Sequence, residues 1–332
     1  MRGSTLMLSL VLAGCTPETS PETEEPVPTE YEVVADWPVL DGSTELGQVS
    51  GVGVDASDNV WVFRRAEREW DGGPVEDVPI AAPVILRLDP SSGEILSSIG
   101  AGTFVIPHGL TVDQDDALWV TDVGVHQVMK LDADGNVLLT LGERGVPGAD
   151  DAHFDRPTDV AVAADGSVFV SDGYGNSRVM KFSATGELIQ SWGQSGTGEG
   201  DLMVPHGIAI DPEGRVFVAD RGNARVQAFD QEGHFLFAWQ GEELGRPWSI
   251  TFDARGFGYV VDGGDQVPAG QLDRARVLKT DHEGHVIGSF GAYGHAPGEM
   301  VWPHDIAVDS QGAVYVVEVS TGRRVQKFEP AE

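Results

Sequence analysis

In 332 residues the sequence holds a single cysteine, Cys15, and only 21 lysines and arginines against 53 aspartates and glutamates. One thiol cannot form an internal disulfide, so the folded part is held together by burial alone. A body of about 300 residues buries roughly three quarters of its chain surface and needs no such staple. The shortage of cations leaves a formal charge of -32, which argues against nucleic acid and anionic lipid surfaces as partners. It also means that any anionic substrate must be met by local cations. The apolar run near the start, Leu6 to Val11, is too short to span a bilayer.

What is present at the N-terminus reads as a processed export signal. Arg2 precedes the apolar run, and Leu12-Ala13-Gly14-Cys15 resembles the lipobox of bacterial lipoproteins. That resemblance implies a signal peptide over residues 1–15, cleavage before Cys15 and lipidation of its thiol. The expected location is the bacterial cell envelope, with the lipid at Cys15 as the sole membrane contact. Thr16 in the following position, rather than aspartate, points by the same resemblance to the outer membrane. Residues 16–30 (TPETSPETEEPVPTE) contain no aromatic side chain and one aliphatic, Val27, so they form an acidic, solvated tether.

From residue 31 to 330 the chain repeats. The unit is a short apolar strand ending near Asp, a Gly turn, a β-branched and aromatic strand ending near Asp, an Arg/Lys-Phe strand, and a fourth strand ending in Gly. Copies start at 49, 107, 157, 205, 247 and 303, with PTDVAVAADGSVFVSDGYGNSRVMKF and PHGIAIDPEGRVFVADRGNARVQAF among the clearest. Six units of four short antiparallel strands predict an all-β fold, a six-bladed β-propeller. The last unit stops at Phe328 after three strands. The segment Tyr31–Pro38 (YEVVADWP), ahead of the first unit, is expected to supply the missing strand and close the ring. A monomer is expected.

Three units open on Pro-His, at Pro107-His108, Pro205-His206 and Pro303-His304, and the histidines lie 98 residues apart each time. In a six-bladed ring they fall on alternate blades, about 120° apart around the channel. At the equivalent position the other three blades carry Ser50, Thr158 and Trp248. Three neutral imidazoles at one height make a zinc site with its fourth position open, the arrangement of a catalytic metal.

These motifs, with HFDRPTDVAV, VSDGYGNSRVMKF and VADRGNARVQAF, resemble the peptidyl-α-hydroxyglycine α-amidating lyase (peptidylamidoglycolate lyase) family, from about Gln48 to Phe328. The resemblance implies NHL-type repeats, zinc on His108, His206 and His304, and cleavage of peptidyl-α-hydroxyglycine to peptide amide and glyoxylate. Tyr174 matches the family's catalytic tyrosine, and Arg65 and Arg221 match its two active-site arginines. A phenol titrates near 10, so a tyrosine base needs a cation or metal to stabilise its phenolate. A guanidinium fork is the best clamp for a carboxylate. Neighbouring Arg64 should point to the opposite face of its strand. The family also implies a structural calcium held by the carbonyls of Val52 and Leu110 and the carboxylate of Asp305, an oxygen set that suits this ion.

The chain departs from the family in two places. Asp155 and Gly175 stand where the animal enzymes have a cysteine pair, and Trp302 replaces a methionine beside the zinc site. Two rival readings remain. One is a non-catalytic NHL propeller that binds a peptide or protein; the other is a calcium-centred propeller hydrolase or lactonase, which would favour carboxylate and amide ligands over imidazoles.

Overall fold

The computed structural model describes Met1 and residues 27–40, 42, 44–264 and 274–331. The expected leader with Cys15, most of the tether, and residues 265–273 of the long blade-five loop lie outside the described residues.

Each repeat forms one four-stranded antiparallel sheet. Blade one comprises Val49–Val54, Val60–Arg64, Ile85–Leu88 and Ile95–Ile99. Blade two comprises Pro107–Val112, Leu118–Asp122, Gln127–Leu131 and Val137–Leu141. Blade three follows with Pro157–Val162, Val168–Asp172, Arg178–Phe182 and Leu188–Trp192. Blade four is Pro205–Ile210, Val216–Asp220, Arg225–Phe229 and Phe235–Gln240. Blade five is Pro247–Phe252, Gly258–Asp262, Arg276–Thr280 and Val286–Phe290.

Blade six takes Pro303–Val308, Val314–Glu318 and Val325–Pro330 from the C-terminus and Tyr31–Val33 from the N-terminus. Tyr31 pairs with Pro330 and Val33 with Phe328, which closes the ring as expected. The closing strand is shorter than the Tyr31–Pro38 segment, because the chain turns after Val34 donates to Lys327 O at 2.8 Å.

Residue chemistry explains the repeat. The second residue of each second strand is Trp61, Trp119, Phe169, Phe217, Tyr259 or Tyr315, none more than 1% exposed. These rings fill the wedges between blades, where large flat side chains remove the most apolar area from water. In blades two to six the second strand ends in a fully buried acid that accepts backbone N–H groups from the turn leading into its own blade, whereas blade one ends this strand in Arg64. Asp122 accepts from Val105 and Ile106, Asp220 from Met203, and Glu318 from Val301. In four blades an arginine pairs with that acid at 2.6–3.2 Å: Asp172–Arg178, Asp220–Arg225, Asp262–Arg276 and Glu318–Arg324. In those five blades the acid therefore ties down the turn from which the first strand enters the channel.

A register shift interrupts each first strand just after its leading residue, between Val49 and Gly51 in blade one and between Pro303 and Asp305 in blade six, with counterparts in the other four. Bulges re-aim side chains beside functional sites. Here the bulged residue is the one that follows the leading proline, so the backbone turns His108, His206 and His304 toward the axis.

Candidate active site

The three imidazoles meet in the channel. They are 1%, 2% and 4% exposed, and their ring centroids lie 4.6–5.0 Å apart. Each Nδ1 bonds a backbone carbonyl at the equivalent position of the next blade. His108 reaches Thr158 O at 2.6 Å, His206 reaches Trp248 O at 2.7 Å, and His304 reaches Ser50 O at 2.7 Å. A carbonyl can only accept, so Nδ1 carries the proton and each Nε2 presents a lone pair inward. Burial, the neighbouring histidines and Arg65 hold His108 well below the ordinary imidazole range; burial, His304 and Arg221 do the same to His206. Burial, then Arg65, pushes His304 down to about 3. Three neutral donors within 4.8 Å of one another fit one tetrahedral metal ion.

Tyr174 leaves the end of blade three's second strand and places its Oη 3.0 Å from His108 Nε2 and 3.1 Å from His206 Nε2. Arg65 follows blade one's second strand. Its Nε donates to Pro107 O at 3.0 Å and its Nη1 to Gln48 Oε1, while its buried Nη2 has no partner. Burial lowers the guanidinium to about 10, still far above neutrality. Arg64 turns the other way, as expected, to Glu45 O and Pro83 O. Arg221, just after blade four's second strand, lies 3.5 Å above the ring of Trp248. Burial lowers its pKa and the adjacent Tyr174 opposes that shift. Arg65, Tyr174, Arg221 and His304 line one cavity of 640 Å³ at the channel mouth, together with Trp70, Trp248 and Trp302.

Further down the channel Val52, Leu110 and Asp305 line a second cavity of 210 Å³. Asp305 accepts from Val52 N at 3.0 Å and Ser249 Oγ at 2.7 Å, and burial pushes its carboxyl up to about 6. Asp159 lines the same cavity. One of its oxygens accepts from Ile208 N at 3.0 Å; the other, Oδ1, is buried without a partner. Burial, then the charge of Asp305, raises its pKa well above the carboxylate range. Two buried carboxylates with an orphaned oxygen fit a hard cation.

The nine positions expected from sequence lie at these two places in the channel; Asp159, Gln48 and Trp70, which stand beside them, were not among the expected residues. Asp159 did leave a signal: Pro157-Thr158-Asp159 and Pro303-His304-Asp305 place an acid at the same step of blades three and six, half a turn apart. Trp70 lies in the unusually long connection between blade one's second and third strands, and Gln48 left no signal. Gly175 N bonds Asp155 O at 2.9 Å, and a Cβ on Gly175 would strike the Asp155 carboxylate. The two positions that the family resemblance would pair are thus in contact here.

The NHL repeat model matches residues 104–131, 154–182 and 202–229, in blades two, three and four. Peptidyl-alpha-hydroxyglycine alpha-amidating lyase 2 of Drosophila melanogaster is 34% identical over 323 residues, covering 91% of this chain and 75% of that protein. Peptidyl-glycine alpha-amidating monooxygenase A of Xenopus laevis is 36% identical over 315 residues, covering 90% of this chain but 33% of that protein. This chain therefore spans about a third of the length of that larger relative. A streptogramin B lyase structure superposes with a TM-score of 0.60 at 14% identity, covering 92% of this chain and 98% of that one, which shows the fold alone.

Proposed function

Because the chain belongs to the peptidyl-α-hydroxyglycine α-amidating lyase family, we propose that it cleaves the C–N bond of a C-terminal α-hydroxyglycine, releasing a peptide amide and glyoxylate. The observation that carries this reading is that the Tyr174 hydroxyl bonds two of the three clustered histidines beside a cavity lined by Tyr174, His304 and Arg65, the last with an unpartnered Nη2. His108, His206 and His304 would hold zinc, which when bound supplies Lewis-acid polarisation of a hydroxyl oxygen. Val52, Leu110, Asp305 and Asp159 would hold calcium deeper in the channel.

The chain's own residues account for the rest. Arg65 and Arg221 bind the substrate carboxylate, the first with an Nη2 that has no other acceptor. Tyr174 Oη takes the proton from the carbinol oxygen. As the C=O of glyoxylate forms, the C–N bonding pair moves to nitrogen, and the proton held at Oη is the nearest one available to the departing amide. The indoles of Trp70 and Trp248 flank the cations and keep water from them.

The test is incubation of zinc-replete protein with α-hydroxyhippurate, with glyoxylate measured against time. Stoichiometric glyoxylate and benzamide are expected. Zinc-, calcium- and iron-loaded protein that all release none would falsify the assignment.

A further inference from the structure

The cavity at the channel mouth is far larger than a hydroxyglycine unit, and its remaining walls are not neutral in what they accept. Of its acidic lining residues, Glu69 pairs with Arg323 at 2.8 Å and also accepts from Gln48 at 3.2 Å, and Asp71 accepts from Gly73 N at 3.2 Å. The large apolar surfaces of the cavity are indoles, Trp70 and Trp302 among them. Trp70 lies 5.7 Å from the Tyr174 ring, 6.3 Å from His108 and 4.9 Å from the Arg65 guanidinium. Trp302 stands on the other flank. It meets Trp248 edge-on at 5.7 Å, and Trp248 in turn packs against His206 and His304.

Both rings are held in place before any ligand arrives. The Trp70 indole N–H donates to Gly73 O at 2.7 Å, and its loop is tied down by Arg156 to Gly72 O and by a two-point Arg144–Asp77 ion pair. Trp302 sits at φ +58°, in an entry turn that recurs as Arg156 in blade three and Val204 in blade four. The turn belongs to the fold; placing an indole on it is this chain's own choice. Rigid aromatic walls bind apolar side chains at low entropic cost.

Resting on the lyase reading, we propose that the residue preceding the hydroxyglycine is bound between Trp70 and Trp302, so that the chain selects peptides with an aromatic or bulky aliphatic residue there. The experiment measures binding by calorimetry of N-benzoylglycine and N-acetylglycine to zinc-replete protein. Both ligands offer the same amide and carboxylate and differ in phenyl against methyl. N-benzoylglycine is expected to bind about 10-fold tighter or more, the worth of one well-buried ring. Trp302→Ala should reduce that ratio to about 3-fold or less while leaving N-acetylglycine within about 2-fold; Trp70→Ala should reduce the ratio likewise but weaken both ligands, because its indole also covers Arg65. Trp302→Met, which keeps an apolar side chain, should retain an intermediate ratio and serves if the alanine variant does not fold.

Equal affinity for the two ligands, or a ratio that survives both tryptophan substitutions, overturns the proposal. So does a failure of N-benzoylglycine to bind. Glyoxylate release from α-hydroxyhippurate reads the reaction separately. A benzoyl preference without glyoxylate sinks the lyase reading and leaves the aromatic subsite standing; glyoxylate without preference does the reverse.

Discussion

Tyr174 is the residue on which the proposed chemistry turns, because its hydroxyl lies within hydrogen-bond distance of two of the three histidines. Tyr174→Phe keeps the ring against Trp70 and removes only Oη. Glyoxylate release should fall by about 10²- to 10⁴-fold, the usual worth of a positioned acid or base. Zinc per chain, measured by elemental analysis, should stay unchanged. Asp159 permits a second test. If its orphaned Oδ1 serves a hard cation, calcium added to chelated protein raises the thermal midpoint, and Asp159→Asn removes at least half of that rise; an equal rise in the variant would exclude Asp159 from the site. Single residues were legible from sequence where they repeated: His108, His206 and His304 gave themselves away by equal spacing, whereas Gln48, which meets Arg65 once, left no pattern to read.

At the level of elements, the strand and turn order was legible because every blade repeats the same ring on its second strand and five of the six repeat the acid that ends it. The bulge at the start of each first strand was not. It occurs in blade one too, where the second strand ends in Arg64, so it belongs to strand pairing rather than to any repeated side chain, and periodicity does not show it. The closing strand was foreseen, yet its fastening was not: Lys279 on blade five, 1% exposed, donates to Tyr31 Oη at 3.0 Å and lies within 5.5 Å of three aromatic rings. Tyr31 also bonds Tyr259, which donates to Asp253. Burial lowers the ammonium from 10.5 to about 8, with Asp253 opposing and Arg255 assisting the shift. Between those two values the unfolded chain binds more protons at this amine than the folded one, so raising pH through the window stabilises the fold. The midpoint of wild type relative to Lys279→Met should accordingly be flat below pH 8 and climb by roughly 3–5 °C toward pH 10.5 in thermal scans at fixed ionic strength. A difference independent of pH would show that the amine is not desolvated.

For the whole molecule the decisive quantities are charge and circular order. A chain of formal charge -32 repels small anions until they reach the local cations at the mouth. Raising salt from about 10 to 150 mM should increase kcat/KM for α-hydroxyhippurate by about 2- to 5-fold and decrease it for a hydroxyglycine peptide of net positive charge. Steady-state rates at several ionic strengths distinguish the two slopes. Circular order has another effect. His304 arises in the last blade to be synthesised, and the carbonyl that orients it belongs to Ser50, in the first. A nascent chain still lacking its sixth blade holds only two of the three imidazoles. If the three imidazoles hold the proposed metal, its full ligand set exists only once the first and sixth blades have met, so a chain cut ahead of His304 should lose the metal and the proposed activity together.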